Sequence, residues 1–160
     1  MTRDWLRRRF MAAAPLAATA GFAQAPKADK GPPLDKDLVK EFVGVAHGKL
    51  DRTRELLERQ PALVNAVHDW GGGDWETGLG GASHMGNRPI ALLLLERGAR
   101  LDLFAAAMLG KLDFVKAAVA AFPNADRVLG PHGIPLIAHA RRGGPEAEAV
   151  VRFLESLARS

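Results

Sequence analysis

The residues best suited to chemistry are the five histidines, at positions 47, 68, 84, 132 and 139. Imidazole nitrogens serve as metal ligands and as acids or bases near neutral pH. His68 is followed by Asp69, and this pair with His84 and His132 is one candidate for a small metal- or ligand-binding site or enzyme centre. Their spacing matches no recognised ligand motif, so we expect no metal and no cofactor.

Other catalytic patterns are missing from the sequence. It contains no Cys, which excludes thiolate metal sites, disulfides and a thiol nucleophile. Ser83 and His84 are neighbours on a predicted helix and do not face each other, so they cannot form a nucleophile–base pair. The glycine-rich stretch at 78–86 has neither the third glycine of a dinucleotide loop nor the lysine of a phosphate loop. We therefore expect no enzymatic activity.

The segment from His68 to His84 is the least ordinary stretch of the chain. Three consecutive glycines at 71–73 permit a sharp turn. Trp70 and Trp75 flank that turn beside acidic residues, a composition typical of binding hot spots. We expect Trp70 to be exposed, while Trp75 is equally compatible with exposure and with packing on a helix.

The basic character of the chain is concentrated at its start. The net charge is +4, but the first 23 residues hold four Arg and one Asp. The remaining chain is nearly neutral and lacks the excess of Lys and Arg that phosphate binding requires. We expect no nucleic-acid partner.

Residues 1–25 are typical of a bacterial export signal, with a positively charged start, a short apolar run and small residues at the expected cleavage site. Arg7, Arg8 and Phe10 follow the twin-arginine pattern. The apolar run of about twelve residues is too short for a stable membrane span, which needs about twenty. The sequence predicts a signal at 1–25, a flexible linker at 26–34 and a periplasmic or secreted protein, with cleavage after either Ala23 or Ala25.

An internal repeat follows the linker. The string Gly-Lys-Leu-Asp occurs at 48–51 and at 110–113, each time between two apolar helical stretches. Two further segments share this plan, and the glycines that join their helices are Gly48, Gly86, Gly110 and Gly143. No such unit buries its apolar face alone, so we expect four units to stack. We also expect these glycines to close the short helices in the left-handed conformation, and Asp51 and Asp113 to cap the helices that follow.

Two segments resemble the ankyrin repeat. Residues 134–140 with Gly143 are similar to its Thr-Pro-Leu-His-x-Ala…Gly signature, and residues 91–99 are similar to its Leu-Leu-x-x-Gly-Ala ending. The resemblance covers roughly residues 35 to 158. It implies an all-α ankyrin-repeat solenoid of about four helix-turn-helix units with short hairpin loops, over a domain at 35–160.

The resemblance also implies a non-enzymatic module that binds a protein partner of unknown identity. In such modules the partner contacts the hairpin loops between units and the short first helix of each unit. By position this surface would comprise Trp70, Asp74, Trp75, Glu76, Met85, Arg88, Met108, His132 and Arg141. A third hypothesis is a structural role through oligomerisation. The oligomeric state, and whether the last helix at 146–158 is a cap or an assembly edge, stay open.

Overall fold

The structure is a computed structural model that describes residues 31–158. The export-signal residues Arg7, Arg8 and Phe10 lie outside this range, so the export signal stays a prediction. Within the range the chain is mostly helical, as predicted, with one small two-stranded sheet. The helices are α1 (Lys36–Val45), α2 (Leu50–Arg59), α3 (Gly78–His84), α4 (Arg88–Glu96), α5 (Leu103–Met108), α6 (Leu112–Ala121), α7 (Leu136–Arg142) and α8 (Glu148–Leu157). The strands are β1 (Val67–Asp69) and β2 (Trp75–Thr77).

The helices pack as four successive pairs. Each odd-numbered helix contacts the even-numbered helix that follows it, and α1, α3, α5 and α7 also contact one another in that order. In addition α3 contacts α7 directly, across the short helix α5. Most of this packing joins elements that are near in sequence, as expected for stacked units. None of the helices in the described range is long and apolar enough to cross a membrane.

The core consists of two apolar clusters that follow the pairs. The first is built around Phe42, Leu57 and Leu94 and unites the first two pairs with part of α5. The second is built around Leu136 and Val150 and joins the last two pairs. Small residues keep the odd-numbered helices close: six of the seven residues of α3 are buried, and three of these are glycines. This close spacing brings loops from different pairs within reach of one another.

The predicted aspartate caps are wrong. The residues that cap α2 and α6 are Lys49 and Lys111, neither of which makes a side-chain capping bond. Asp51 and Asp113 lie inside the first turn, because these helices begin at Leu50 and Leu112. A negative charge there still favours the helix through its dipole. Side-chain caps occur instead at helix starts that the repeat did not single out, namely Asp35, Thr77, Asn87 and Asp102.

The joining glycines follow the prediction in part. Gly86 and Gly110 adopt the left-handed conformation, with φ of 70° and 73°. A Cβ at Gly86 would also lie 2.4 Å from the carbonyl oxygen of Arg142, so two pairs meet there backbone to backbone. The expectation is wrong for Gly48, whose φ is not positive, and for Gly143, which is right-handed at φ −70°. Gly144 takes the left-handed position instead, because the turn closes one residue later.

Candidate metal centre

A β-hairpin between the first two helix pairs carries the central residue of the site. β1 and β2 pair antiparallel with His68 opposite Glu76. All three turn glycines at 71–73 have positive φ, and Asp69 Oδ1 accepts hydrogen bonds from the backbone N–H groups of Gly71 (2.9 Å) and Gly73 (3.2 Å). Side chains alternate between the faces of a strand. Glu76 therefore points inward and is buried at 1% exposure, while its neighbour Trp75 is 60% exposed.

Four side chains from separate elements converge at the base of this hairpin. His47 follows α1, Glu76 lies on β2, His84 ends α3, and His132 lies in a short 3-10 turn, Pro131–Gly133. One potential ligand atom from each of the four lies within 4.8 Å of the others. Thr77, next to Glu76, caps α3 through the backbone N–H of Gly80 at 2.9 Å. That cap fixes the position of the strand relative to the helix that carries His84.

The distances within the cluster are short. His84 Nε2 lies 2.9 Å from Glu76 Oε1, while the Nε2 atoms of His47 and His132 each lie 3.4 Å from Glu76 Oε2. The Nε2 atoms of His47 and His84 are 3.1 Å apart. Each of the three imidazoles thus directs its Nε2 atom towards the carboxylate of Glu76.

In two of these rings, a hydrogen bond at Nδ1, the nitrogen that faces away from the cluster, fixes the tautomer. His47 Nδ1 donates to the carbonyl oxygen of Val43 at 2.9 Å. His132 Nδ1 donates to Asp74 Oδ2 at 2.6 Å. A carbonyl and a carboxylate only accept, so both Nδ1 atoms carry hydrogen, and in the neutral form of each ring it is the bare Nε2 lone pair that faces the cluster. Outer hydrogen bonds of this type orient the histidines of known metal sites.

Glu76 is held from the other side by the indole of Trp70. Trp70 Nε1 donates to Oε2 at 2.7 Å. Oε1 has no well-directed hydrogen bond among the described residues, although His84 Nε2 is near. Burial by itself would raise the pKa of Glu76, but the nearby His84, the Trp70 N–H and the positive charge of a protonated His47 outweigh it and hold that pKa below its ordinary value. The centre is therefore a buried carboxylate anion whose Oε1 faces His84 and whose Oε2 faces His47 and His132.

The glycines of α3 make room for the cluster. A Cβ at Gly81 would lie 2.7 Å from Cε1 of His47, and one at Gly80 would lie 3.3 Å from Cγ of Glu76. The glycine-rich segment that resembles a cofactor loop in the sequence is thus a helix face on which two members of the cluster rest.

His132 is in a strained backbone conformation, with φ of 59°. Such a value is uncommon for a residue other than glycine and often marks a functional site. Asp74 supports it twice, because Oδ1 accepts the backbone N–H of His132 at 2.8 Å while Oδ2 accepts the ring N–H. That backbone N–H is the main cause of a lowered pKa at Asp74, and the His132 ring adds to it.

The sequence-based candidates separate into two groups. His84 and His132 enter the cluster. His68 and Asp69 do not: the His68 ring packs edge-on against Trp70, with ring centroids 4.6 Å apart, and Asp69 supports the turn. Sequence reasoning missed His47, which it assigned to no site. One signal was available, because His47 and His84 precede the joining glycines of successive units, a position that stacking makes adjacent.

The nine residues of the predicted partner surface lie in different environments. Trp75 and Met85 are exposed, at 60% and 49%. Glu76 and Met108 are buried and offer no surface to a partner in this structure. Three others are engaged within the chain: Asp74 with His132, Arg88 with the carbonyl oxygen of Met108, and Arg141 with Glu155. Trp70 is exposed, as expected, at 39%, and the His132 side chain beside it is 33% exposed.

No protein-family model and no curated protein matches this sequence.

Proposed function

We propose that this protein binds one transition-metal dication through His47, Glu76, His84 and His132. The observation that carries the proposal is the convergence of three imidazole Nε2 atoms on one buried carboxylate. This departs from the expectation of no metal and develops the alternative from sequence, in which His84 and His132 are ligands together with His68 and Asp69.

The closest donor atoms are spaced as a metal ion requires, and all four lie within 4.8 Å of one another. A tetrahedral zinc site with bonds of about 2.0–2.1 Å separates its ligand atoms by about 3.3 Å. The short contacts in the cluster run from 2.9 to 3.4 Å. Imidazole with carboxylate suits Zn²⁺, Cu²⁺, Ni²⁺ or Fe²⁺, whereas Mg²⁺ and Ca²⁺ prefer sites built from oxygen ligands. The set therefore favours a transition metal.

Protons alone satisfy the cluster poorly. In the neutral forms of His47 and His132, two bare Nε2 atoms would face Glu76 Oε2, which already accepts the indole N–H. A proton added to either ring improves one contact, but protons on both His47 and His84 would place two cations with nitrogens 3.1 Å apart. One divalent ion would bind all three Nε2 atoms and the carboxylate together, with His84 in the tautomer that leaves its Nε2 bare.

The test is metal binding by the full chain, measured by equilibrium dialysis against Zn²⁺, Co²⁺, Ni²⁺ and Mg²⁺. We expect one transition-metal ion per chain, no retained Mg²⁺, and a melting temperature that rises with the bound ion. Glu76→Gln and His84→Ala should each abolish binding. Glu96→Gln is the matched control, because it makes the same change at an exposed glutamate of α4 that lies outside the cluster. Failure of the native chain to bind any of these ions would refute the proposal.

A second proposal is that the domain is an ankyrin-type solenoid that also binds a protein partner. The pairwise packing of helices and the hairpin between the first two pairs support the ankyrin assignment. The exposed Trp75 and Met85 supply large apolar side chains beside the hairpin. A partner that co-purifies with the native chain and is lost with Trp75→Ala, at unchanged helicity, would support it. Equal recovery with both chains would exclude Trp75 from the contact.

A further inference from the structure

Trp70 occupies the solvent-facing side of the cluster. Of the four proposed ligands, Glu76 is fully buried and His84 nearly so, while the side chains of His47 and His132 are 24% and 33% exposed. The Trp70 ring lies against both exposed imidazoles, with centroids 6.2 Å from each. An ion reaching the cluster from solvent between these two rings therefore meets the indole.

The Trp70 side chain also orients the carboxylate of Glu76. Its N–H occupies Glu76 Oε2 at 2.7 Å and leaves Oε1 as the oxygen without a well-directed hydrogen bond. An indole nitrogen only donates, so this contact cannot reverse its direction. The hydrogen bond thus selects which oxygen is presented to an ion and fixes the rotation of the carboxylate.

Other residues keep the indole in place. The His68 ring packs edge-on against it, and the helix α1 has a glycine, Gly44, where Trp70 approaches. Trp70 itself immediately precedes the three turn glycines, and its backbone N–H donates to the carbonyl oxygen of Asp74 at 3.0 Å. The indole is therefore held at the site from three directions.

We propose that Trp70 is the positioning residue and cover of the metal site, presenting Glu76 Oε1 to the ion and limiting the rate at which the ion leaves. This inference rests on the proposed metal-binding function. Two variants separate its two roles: Trp70→Phe keeps an aromatic ring and removes the N–H, and Trp70→Ala removes both.

The experiment uses Co²⁺ bound to the full chain, with its visible absorption spectrum and its rate of transfer to a chelator as the two readouts. Loss of an outer hydrogen bond to a ligand lowers metal affinity by about 10- to 100-fold, which we expect for Trp70→Phe together with a changed Co²⁺ spectrum. Trp70→Ala should in addition release Co²⁺ faster than Trp70→Phe. Trp75→Phe, on the same hairpin but directed to solvent, is the matched control and should behave as the native chain.

The outcomes are distinct. A native spectrum and native release rate in both Trp70 variants would overturn this inference and leave the metal site standing. A native chain that gives no Co²⁺ spectrum at all would overturn both. A merely structural role for Trp70 would lower the melting temperature of the metal-free chain without moving the spectrum of the ion that is bound.

Discussion

Gly81→Ala adds one methyl group to α3 where that helix supports His47. The new Cβ would lie 2.7 Å from Cε1 and 2.8 Å from Nδ1 of the imidazole. Non-bonded carbon atoms pack at about 3.5–4.0 Å, so the ring must move by about 1 Å. That movement strains the bond from Nδ1 to Val43 and takes Nε2 out of the cluster.

The expected loss of metal affinity is large. Metal–ligand distances in proteins hold to within about 0.2 Å, so a shift of about 1 Å removes His47 as a ligand. Removing only an outer hydrogen bond costs about 10- to 100-fold, and the loss of a ligand should cost at least about 100-fold, or about 2.8 kcal/mol of binding free energy. Competition against a chelator of known affinity measures this directly.

The stability of the metal-free chain should change much less. Alanine is favoured over glycine inside a helix by about 1 kcal/mol, which opposes the cost of moving His47. Gly48→Ala is the control, because it adds the same methyl group next to His47 in the sequence, where nothing lies within 4 Å of the new Cβ. Native metal affinity in Gly81→Ala would refute the assignment of His47 as a ligand.

Two further predictions concern other histidines of the fold. Asp74→Asn should lower metal affinity by about 10- to 100-fold in the same chelator assay, because an amide N–H₂ would face the Nδ1–H of His132. Asp69→Asn is the control: it keeps an oxygen acceptor for the turn and should bind the metal as the native chain does. Burial lowers the pKa of His139 below 6.5, so the unfolded chain protonates this residue more readily than the folded chain does. The free energy of unfolding therefore keeps its full value above about pH 6.5 and decreases as the pH falls. Urea unfolding of the metal-free chain between pH 7.5 and 5.5 should show this loss, with a slope of at most about 1.4 kcal/mol per pH unit from this residue, and His139→Leu should show a shallower dependence.

The sequence predicted the helical class because its apolar residues recur at helical spacing between glycines. It did not predict which residue begins each helix: Lys49 precedes α2 in the structure, although Asp51 has the more favourable capping side chain. Capping preference is worth about 1 kcal/mol, and packing of Leu56 and Leu57 into the core outweighs it.

The candidate site was only partly accessible from sequence, because its members are joined by folding rather than by spacing. Glu76 was assigned to a partner surface, since nothing in the sequence shows that the hairpin register turns it inward and Trp75 outward. His132 reaches the cluster only through a left-handed backbone that sequence patterns rarely indicate for histidine. His84 and His132 could be named as candidates, but Glu76, the carboxylate that both contact, could not.

The uneven length of the repeat units explains how distant residues meet. The joining glycines Gly48, Gly86 and Gly110 are separated by 38 and then 24 residues, and the longer interval contains the β-hairpin. The shorter interval leaves only residues 97–102 between α4 and α5, with no strand. Without a second hairpin in between, α3 contacts α7 and the turn that carries His132 reaches Asp74 and Glu76. The irregular unit lengths, which weaken the repeat as a sequence pattern, are therefore what allows two non-adjacent connections to form one site.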